Sequence, residues 1–343
     1  RVGCAFYEWP QKAERIEKLK AAGCELYLFS NKGREKRTFA ERMQYKLTKR
    51  RVRQHSKALP MANYDTTVIN LGYLEIVALY WKHFFQYVSN YTLLFHVHSD
   101  DDPVKPKQKE LLRKWLLNAK HNLFASERSK TFFEQQLSIS IPNAGILINP
   151  ITFQPPQGLT AYPPLQNSNY VWVMLATLET RRKAQDNLVK ALSSQKWKER
   201  NWLLNLYGGG ESEQKLKTLI AENGLGEKVL LKGHTKDVKG ALGEAHLLLQ
   251  ITHIDAMPLA VVEAMAMAKP LAVSDVGDMP KWIEENRNGW IAPDASVAAI
   301  DTVLEKAWQS REKWEEMGKA SFTLFKEKFP QSPEQYFLEQ ISQ

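Results

Sequence analysis

The sequence predicts an α/β protein built from two doubly wound domains facing each other across a cleft. Three observations predict it. Short apolar runs alternate with stretches of helical spacing along most of the 343 residues. Parallel strands need a crossover connection, and helices between short strands supply it. The alternation breaks over residues 150–168, which hold five prolines and show no period; that is linker chemistry. The length also suits two domains at roughly 100–200 residues each. Ligands in such folds sit beyond the carboxyl ends of the strands, so the expected binding crevice lies between the two domains.

The elements follow in order. Val2 to Phe6 reads as a buried strand. Residues 11–22 carry helical spacing at Ala13, Ile16, Leu19 and Lys20 and end at Gly23. Glu25 to Phe29 is a second strand, and Thr67 to Asn70 and Leu93 to Val97 are further strands around an aromatic-rich helix. A helix starts at Pro106, and Asn122 to Ser126 and Gly145 to Ile148 continue the strand series. After the break come strands at Val171 to Ala176, Trp202 to Tyr207, Val229 to Leu231, Ala245 to Gln250 and Leu271 to Ser274. Helices at Gln185 to Ser193, Glu213 to Asn223, Val238 to Glu244 and Leu259 to Ala268 separate them.

Composition narrows the classes. Apolar residues are 43% of the chain, enough for a substantial core. The longest uninterrupted apolar run is seven residues, Tyr170 to Ala176, whereas a membrane-spanning helix needs about 20. The first residues read as a strand and not as a signal peptide. Cys4 and Cys24 are too few for a disulfide framework and are expected as buried free thiols of a reducing cytoplasm. No CxxC pair exists, which excludes a cysteine-based zinc site. The net charge is +9, and residues 32–57 concentrate it: eleven Lys and Arg against Glu35 and Glu41, with Phe39, Met43, Tyr45 and Leu47 interspersed. Such a stretch attracts anionic surfaces.

The informative stretch runs from 246 to 293. It reads as strand, loop, helix, strand, loop. Pro258 stands at the start of the helix, where its missing N–H costs nothing. The backbone amides of Met257, Leu259 and Ala260 are then free donors at a positive helix end, which suits a phosphate. Asp255 lies on the loop ahead, and Glu263 lies eight residues later among Val261, Val262, Ala264, Met265 and Ala266. A helix apolar nearly all round is buried, so Glu263 needs a partner. A carboxylate accepts two vicinal hydroxyls, which is the chemistry of sugar binding. A second cluster follows the first strand after the break: Thr177, Arg181, Arg182 and Lys183. A cationic loop at a strand's carboxyl end is placed to neutralise a diphosphate. Gly208-Gly209-Gly210 ends another strand and lets a backbone approach a ligand closely.

The block Asp255-x7-Glu263-Ala-Met-Ala, Lys269-Pro270-Leu-Ala-Val-Ser-Asp275-Val-Gly277 and Asn288-Gly289-Trp-Ile-Ala-Pro293 resembles the retaining nucleotide-sugar glycosyltransferases of the GT-B fold, in the group numbered family 4. The resemblance is strongest over 171–295 and continuous over 1–150. It implies a glycosyltransferase that moves a hexose from a UDP- or GDP-linked sugar to a glycan or lipid-linked hydroxyl. It also implies retention of configuration without metal or cofactor. By the resemblance, Glu263 holds the donor ribose, Asp255 lies near the hexose, and Lys183 with Thr177 stands where the family has its Lys and Arg for the phosphates. Arg181 or Arg182 would supply the missing cation. Ala184 and Ala256 stand where the family has glycines. Gly208, Gly209, Gly233 and His234 would line the nucleotide, and His98, at the end of a strand, would lie near the donor sugar.

The implied organisation is an acceptor-side domain over 1–150, joined by a C-terminal helix at 330–343, a linker over 151–168 and a nucleotide-sugar domain over 169–329. Asp100-Asp101-Asp102 would be a metal motif only in a single-domain setting. Related enzymes work on lipid-linked or lipopolysaccharide acceptors, in polysaccharide assembly. The basic stretch 32–57 therefore reads as a peripheral contact on the inner face of the membrane, in a cytoplasmic enzyme. Competing readings are a sugar-nucleotide epimerase or phosphorylase on the same fold, and a non-catalytic scaffold or nucleic-acid binder. No aromatic stacking motif or zinc module supports nucleic acid as a partner.

Overall fold

A computed structural model describes residues 2–7, 13–29, 63–71, 90–96 and 103–342. The protein is α/β with parallel sheets, the class the alternation predicts. It divides into two compact units. The first holds the described residues up to Leu123 together with Glu134–Gly145; the second holds Phe124–Phe133 and the described chain from Ile146 onward.

In the first unit, β1 (Gly3–Tyr7) and β2 (Glu25–Phe29) pair in parallel, with Cys4 opposite Leu26. Helix α1 (Ala13–Ala21) crosses between them and ends at Gly23, whose φ of +78 only glycine adopts without strain. Cys4 and Cys24 are free thiols. They are half-buried where the sequence reading expected full burial; among the described residues β1 and β2 pair only with each other. Burial, and the neighbouring Cys24, push the Cys4 thiol up.

A second sheet runs β3-β4-β5-β6, made of Thr67–Leu71, Tyr91–Phe95, His121–Phe124 and Ala144–Ile146. Every residue of β4 is buried, and Trp115 and Leu116 of α2 (Pro106–Asn118) pack in the same core. The strand expected over Asn122 to Ser126 stops at Phe124 for a local reason. Ser126 Oγ accepts from the Ser129 amide at 3.1 Å and so caps α3 (Glu127–Leu137). His98, Asp100–Asp102 and the basic stretch 32–57 lie outside the described residues.

The second unit is built on a six-stranded parallel sheet in the order β12-β11-β10-β7-β8-β9. Its strands are β7 (Tyr170–Leu175), β8 (Trp202–Tyr207), β9 (Val229–Gly233), β10 (Leu247–Gln250), β11 (Leu271–Ser274) and β12 (Gly289–Ala292). The order runs outward in one direction from β7 and in the other from β10, so the topological switch point lies between them. Helices α4 (Thr180–Lys183) and α5 (Gln185–Ala191) follow β7, and α6 (Gln195–Lys198) leads into β8. Helices α7 (Glu213–Glu222) and α8 (Val238–Gly243) follow β8 and β9, and α9 (Leu259–Ala266) follows β10. The chain ends in α10 (Val297–Gln309), α11 (Trp314–Lys328) and α12 (Pro333–Ser342).

Fully buried tryptophans fill the core on one side of this sheet. Trp172 and Trp202 stack at 5.1 Å, and Trp197 and Trp314 close edge-on against Trp172. Val261, Met265 and Phe325 belong to a second cluster, which buries α9 against α11. Ile148, Ile151 and Phe153 pack on that second cluster, and Thr160 Oγ1 donates to Met267 O at 2.9 Å. The proline-rich segment is thus docked along α9. Helix α12 groups with this second unit, where the sequence reading joined it to the first; Tyr336 Oη donates to Ile146 O at 2.7 Å. No helix among the described residues is long and apolar enough to cross a membrane.

Candidate functional site

The site grows from two loops at the switch point. The first leaves β7 at Leu175 and enters α4; the second leaves β10 at Gln250 and enters α9. One carbonyl ties them. Arg182 O accepts from His253 N at 2.8 Å, Ile254 N at 3.3 Å and Thr252 Oγ1 at 2.7 Å. Thr252 is fully buried, and its own amide donates to Ser274 Oγ at 2.9 Å, so β11 holds the second loop from the other side.

This stitching brings Lys183 and Asp255 together. Lys183 Nζ donates to Asp255 Oδ2, and both side chains are largely buried. Asp255 Oδ1 accepts from the Ala256 amide at 2.9 Å. Ala184, which follows Lys183, is buried and sits at φ +49. That is a left-handed backbone where glycine is least strained. Ala256 shows no positive φ, so its methyl group is accommodated without that strain. The close approach falls instead on Gly277: at φ +55, an added Cβ would lie 1.9 Å from Ala256 O. A recess beside Asp255 is lined by Thr252, Gly277 and Pro293 among others.

Glu263 is the second centre. It lies in the middle of α9, 3% exposed, among apolar neighbours. Its partner comes from a segment the sequence reading treated as a linker. Thr152 donates twice to Oε1, from its amide at 3.0 Å and its hydroxyl at 2.6 Å. Pro258 is the N-cap residue of α9, and no side chain caps that end. The amide-bearing start of α9 at Leu259 and Ala260 therefore keeps its polarity.

The remaining candidates are scattered around the carboxyl edge. Thr177 is exposed, and its carbonyl accepts from Gln185 Nε2 at 2.8 Å. Arg181 is exposed, while Arg182 pairs with Glu179 at 3.5 Å and does not join Lys183. Gly208 and Gly233 are neighbours, with Gly208 N donating to Gly233 O at 2.9 Å. The need for glycine at 208 is a packing need: a Cβ there would lie 1.9 Å from Ala176 O. A Cβ added at Gly209 would meet nothing within 4 Å, the Gly209 carbonyl accepts from Leu178 N at 3.1 Å, and His234 is exposed. His96 belongs to the first unit, and burial lowers its imidazole below the ordinary value. Among the described residues no group of three His, Cys, Asp or Glu side chains could hold a metal ion.

Comparison with known proteins falls on this same stretch. Residues 163–323 match the family model Glycosyl transferases group 1. The Glycosyl transferases group 1 segment thus contains both loops, Glu263 and the whole six-stranded sheet. The amylovoran biosynthesis glycosyltransferase AmsK of Erwinia amylovora is 35% identical over 107 residues, 29% of this chain and 26% of that protein. The chain therefore spans about a quarter of the length of this curated relative.

The fold extends further than the sequence match. Sucrose-phosphate synthase from Thermosynechococcus elongatus superposes with a TM-score of 0.71 at 16% identity, over 100% of this chain and 96% of that one. HepE of Anabaena in complex with UDP superposes with a TM-score of 0.70 at 16% identity, over 100% and 92%. At that identity the likeness is one of fold.

Sequence reasoning missed Thr152 and Thr252. Thr252 had a local signal, a polar residue closing an apolar strand. Thr152 had none, since a lone threonine in a proline-rich segment reads as solvent-facing.

Proposed function

We propose that this chain is a glycosyltransferase that moves a hexose from a nucleoside diphosphate sugar to a hydroxyl of a glycan or lipid-linked acceptor. The observation that carries the reading is the stitched pair of loops at the β7/β10 switch point, within the segment that matches the family model. A doubly wound sheet binds its ligand at that point. Uridine is the favoured base, because neighbours of the same fold hold UDP or UDP-glucose. Polysaccharide assembly is the favoured setting, because AmsK serves amylovoran biosynthesis.

The roles are those the resemblance implies, and the chemistry of each group suits them. Glu263 accepts the ribose hydroxyls. The start of α9 and Lys183 face the diphosphate, where negative charge grows as the sugar leaves. Asp255 then exchanges its ammonium partner for hydroxyls of the hexose. In the transfer, the bond from the anomeric carbon to the diphosphate oxygen breaks and its electron pair leaves with the nucleotide. The acceptor oxygen bonds that carbon from the same face, and the acceptor proton passes to the departing phosphate oxygen. Configuration is retained, and no metal is assigned a part. His98 is placed near the sugar by resemblance. The basic stretch 32–57 is assigned a peripheral contact with anionic lipid.

The test is thermal stabilisation by UDP, GDP and ADP, with Glu263→Ala as control. Binding to the native state alone raises the melting temperature by mass action. UDP should stabilise the wild-type chain, and Glu263→Ala should lose about a hundredfold in affinity, as befits loss of two hydrogen bonds to a charged group. An equal response in wild type and variant would remove Glu263 from the site. An inverted anomeric product would overturn the same-face mechanism.

A further inference from the structure

We infer that Thr152 is a positioning residue for Glu263 and thereby sets the preference for a ribose diol; the inference rests on the reading of Glu263 given above. Three observations carry it. First, both hydrogen bonds from Thr152 end on the same oxygen, Oε1. A carboxylate offers about four acceptor sites. Two donors on Oε1 fix the carboxylate plane and leave Oε2 as the oxygen for two neighbouring hydroxyls. Second, these donors are neutral. They orient the group without cancelling its charge, as a lysine or arginine would. Third, the place of Thr152 is itself fixed. Ile151 and Phe153, on either side of it, pack on the core cluster that contains Val261, Val262 and Met265 of α9. The chain bends at Thr152 and Phe153, so the packed residues on either side set where that bend lies. Anchoring Ile151 and Phe153 therefore presents the residue between them, and Thr152 is exposed apart from its contact with Glu263.

That exposure makes the proposal testable without unfolding the protein. Thr152→Val removes only the hydroxyl donor and keeps the side-chain shape. Thr152→Ser keeps the hydroxyl. Glu263→Gln tests the underlying site on its own. The four proteins are titrated by calorimetry with UDP and GDP, and with the 2′,3′-dideoxy form of each, which lacks both ribose hydroxyls. In wild type, UDP should bind well above its dideoxy form. Thr152→Val should weaken UDP about tenfold, the size of one hydrogen bond to a charged group. It should leave the dideoxy form nearly unchanged, and Thr152→Ser should restore the wild-type preference.

Three results would overturn the proposal, and they are distinguishable. If Glu263→Gln weakens UDP but Thr152→Val does not, Thr152 positions nothing and the site reading survives. If Thr152→Val weakens UDP and its dideoxy form equally, and Thr152→Ser does not rescue, the role of Thr152 is structural only. If Glu263→Gln binds UDP and GDP as wild type does, or wild type binds neither, the site reading falls and this inference falls with it.

Discussion

The two ends of the six-stranded sheet treat charge in opposite ways. At the carboxyl ends of β7 and β10, Lys183 at the end of α4 and Asp255 on the loop before α9 are paired, and the Arg182 carbonyl ties the two segments together. At the amino ends, His246 precedes β10 and Lys269 precedes β11, and both are buried. Among the described residues no carboxylate lies within ion-pair distance of Lys269; its ammonium sits 6.0 Å from the Tyr162 ring and 3.4 Å from Gly243 O. Burial lowers Lys269 to about 8. Burial, and then the nearby Lys269 cation, lower His246 to about 4, against weaker backbone hydrogen bonds to Pro163 and Val171. Displaced titration often marks a functional site. Here it marks the end of the sheet away from the switch point. The difference teaches that strand direction and displaced titration can point to opposite ends of one sheet, and the site proposed above follows strand direction. At the amino end Lys269 and His246 shift because burial strips them of water and no carboxylate among the described residues pairs with Lys269.

The sharpest way to break this comparison is at the paired end. Asp255→Asn leaves Lys183 almost buried without its counter-charge. Removing one partner of a buried pair costs about 3–5 kcal/mol. The variant should unfold at lower denaturant, and UDP should recover more stability in it than in wild type, because the diphosphate takes over the ammonium. Equilibrium denaturation with and without UDP measures both. Unchanged stability would mean that the pair is not a coupled unit.

At the other end the sign reverses. Lys269→Met removes a buried cation and keeps the length of the side chain. The folded-state value of about 8 lies below the ordinary 10.5. The unfolded chain therefore binds more protons between those values, and wild-type stability rises with pH across that window. Below it, at pH 7, the charge is carried in both states and the folded state bears the cost. The variant should be more stable at pH 7 by up to about 3 kcal/mol, and wild type should close the gap between pH 8 and 10.5. Its response to UDP should not change. A variant less stable than wild type at pH 7 would show that the contact with Tyr162 outweighs the desolvation.

The sequence was legible where local chemistry decides structure. Strand Leu271–Ser274 is where the apolar run places it, and α9 starts beside Pro258 as a proline at a helix entry requires. Helix α5 ends at Ala191, two residues before the predicted end at Ser193, within ordinary fraying. The acidic residue on α9 was legible as a buried group in need of a partner. The identity of that partner was not, because Thr152 lies 111 residues away in a segment whose composition signals only a linker. The same limit applies to Arg182. Its side chain attracted attention as a cation, yet its carbonyl does the work, accepting three bonds from the 252–254 loop. Backbone acceptors carry no sequence signature. The glycines divide in the same way: the run at 208–210 suggested ligand approach, whereas Gly208 is required by Ala176 O.

The smallest expected effect is the most diagnostic of how the amino end is built. His246 Nδ1 accepts from the Val171 amide at 2.9 Å, and the rings of Tyr162 and Tyr170 stand edge-on at 5.3 and 5.5 Å. With a folded-state value of about 4 against the ordinary 6.5, the unfolded chain takes the proton first as pH falls. Stability should therefore drop as pH falls below 6.5, by about 2 kcal/mol between pH 7 and 5. Urea denaturation across that range measures it. The Lys269 cation is one of the two causes of the shift, so Lys269→Met should shrink the drop and confine it to pH values closer to 6.5. If the drop is the same in both proteins, burial alone holds the imidazole neutral and the two groups do not feel each other. If the drop shrinks, the amino end behaves as one electrostatic unit, set by which charges the fold leaves unanswered.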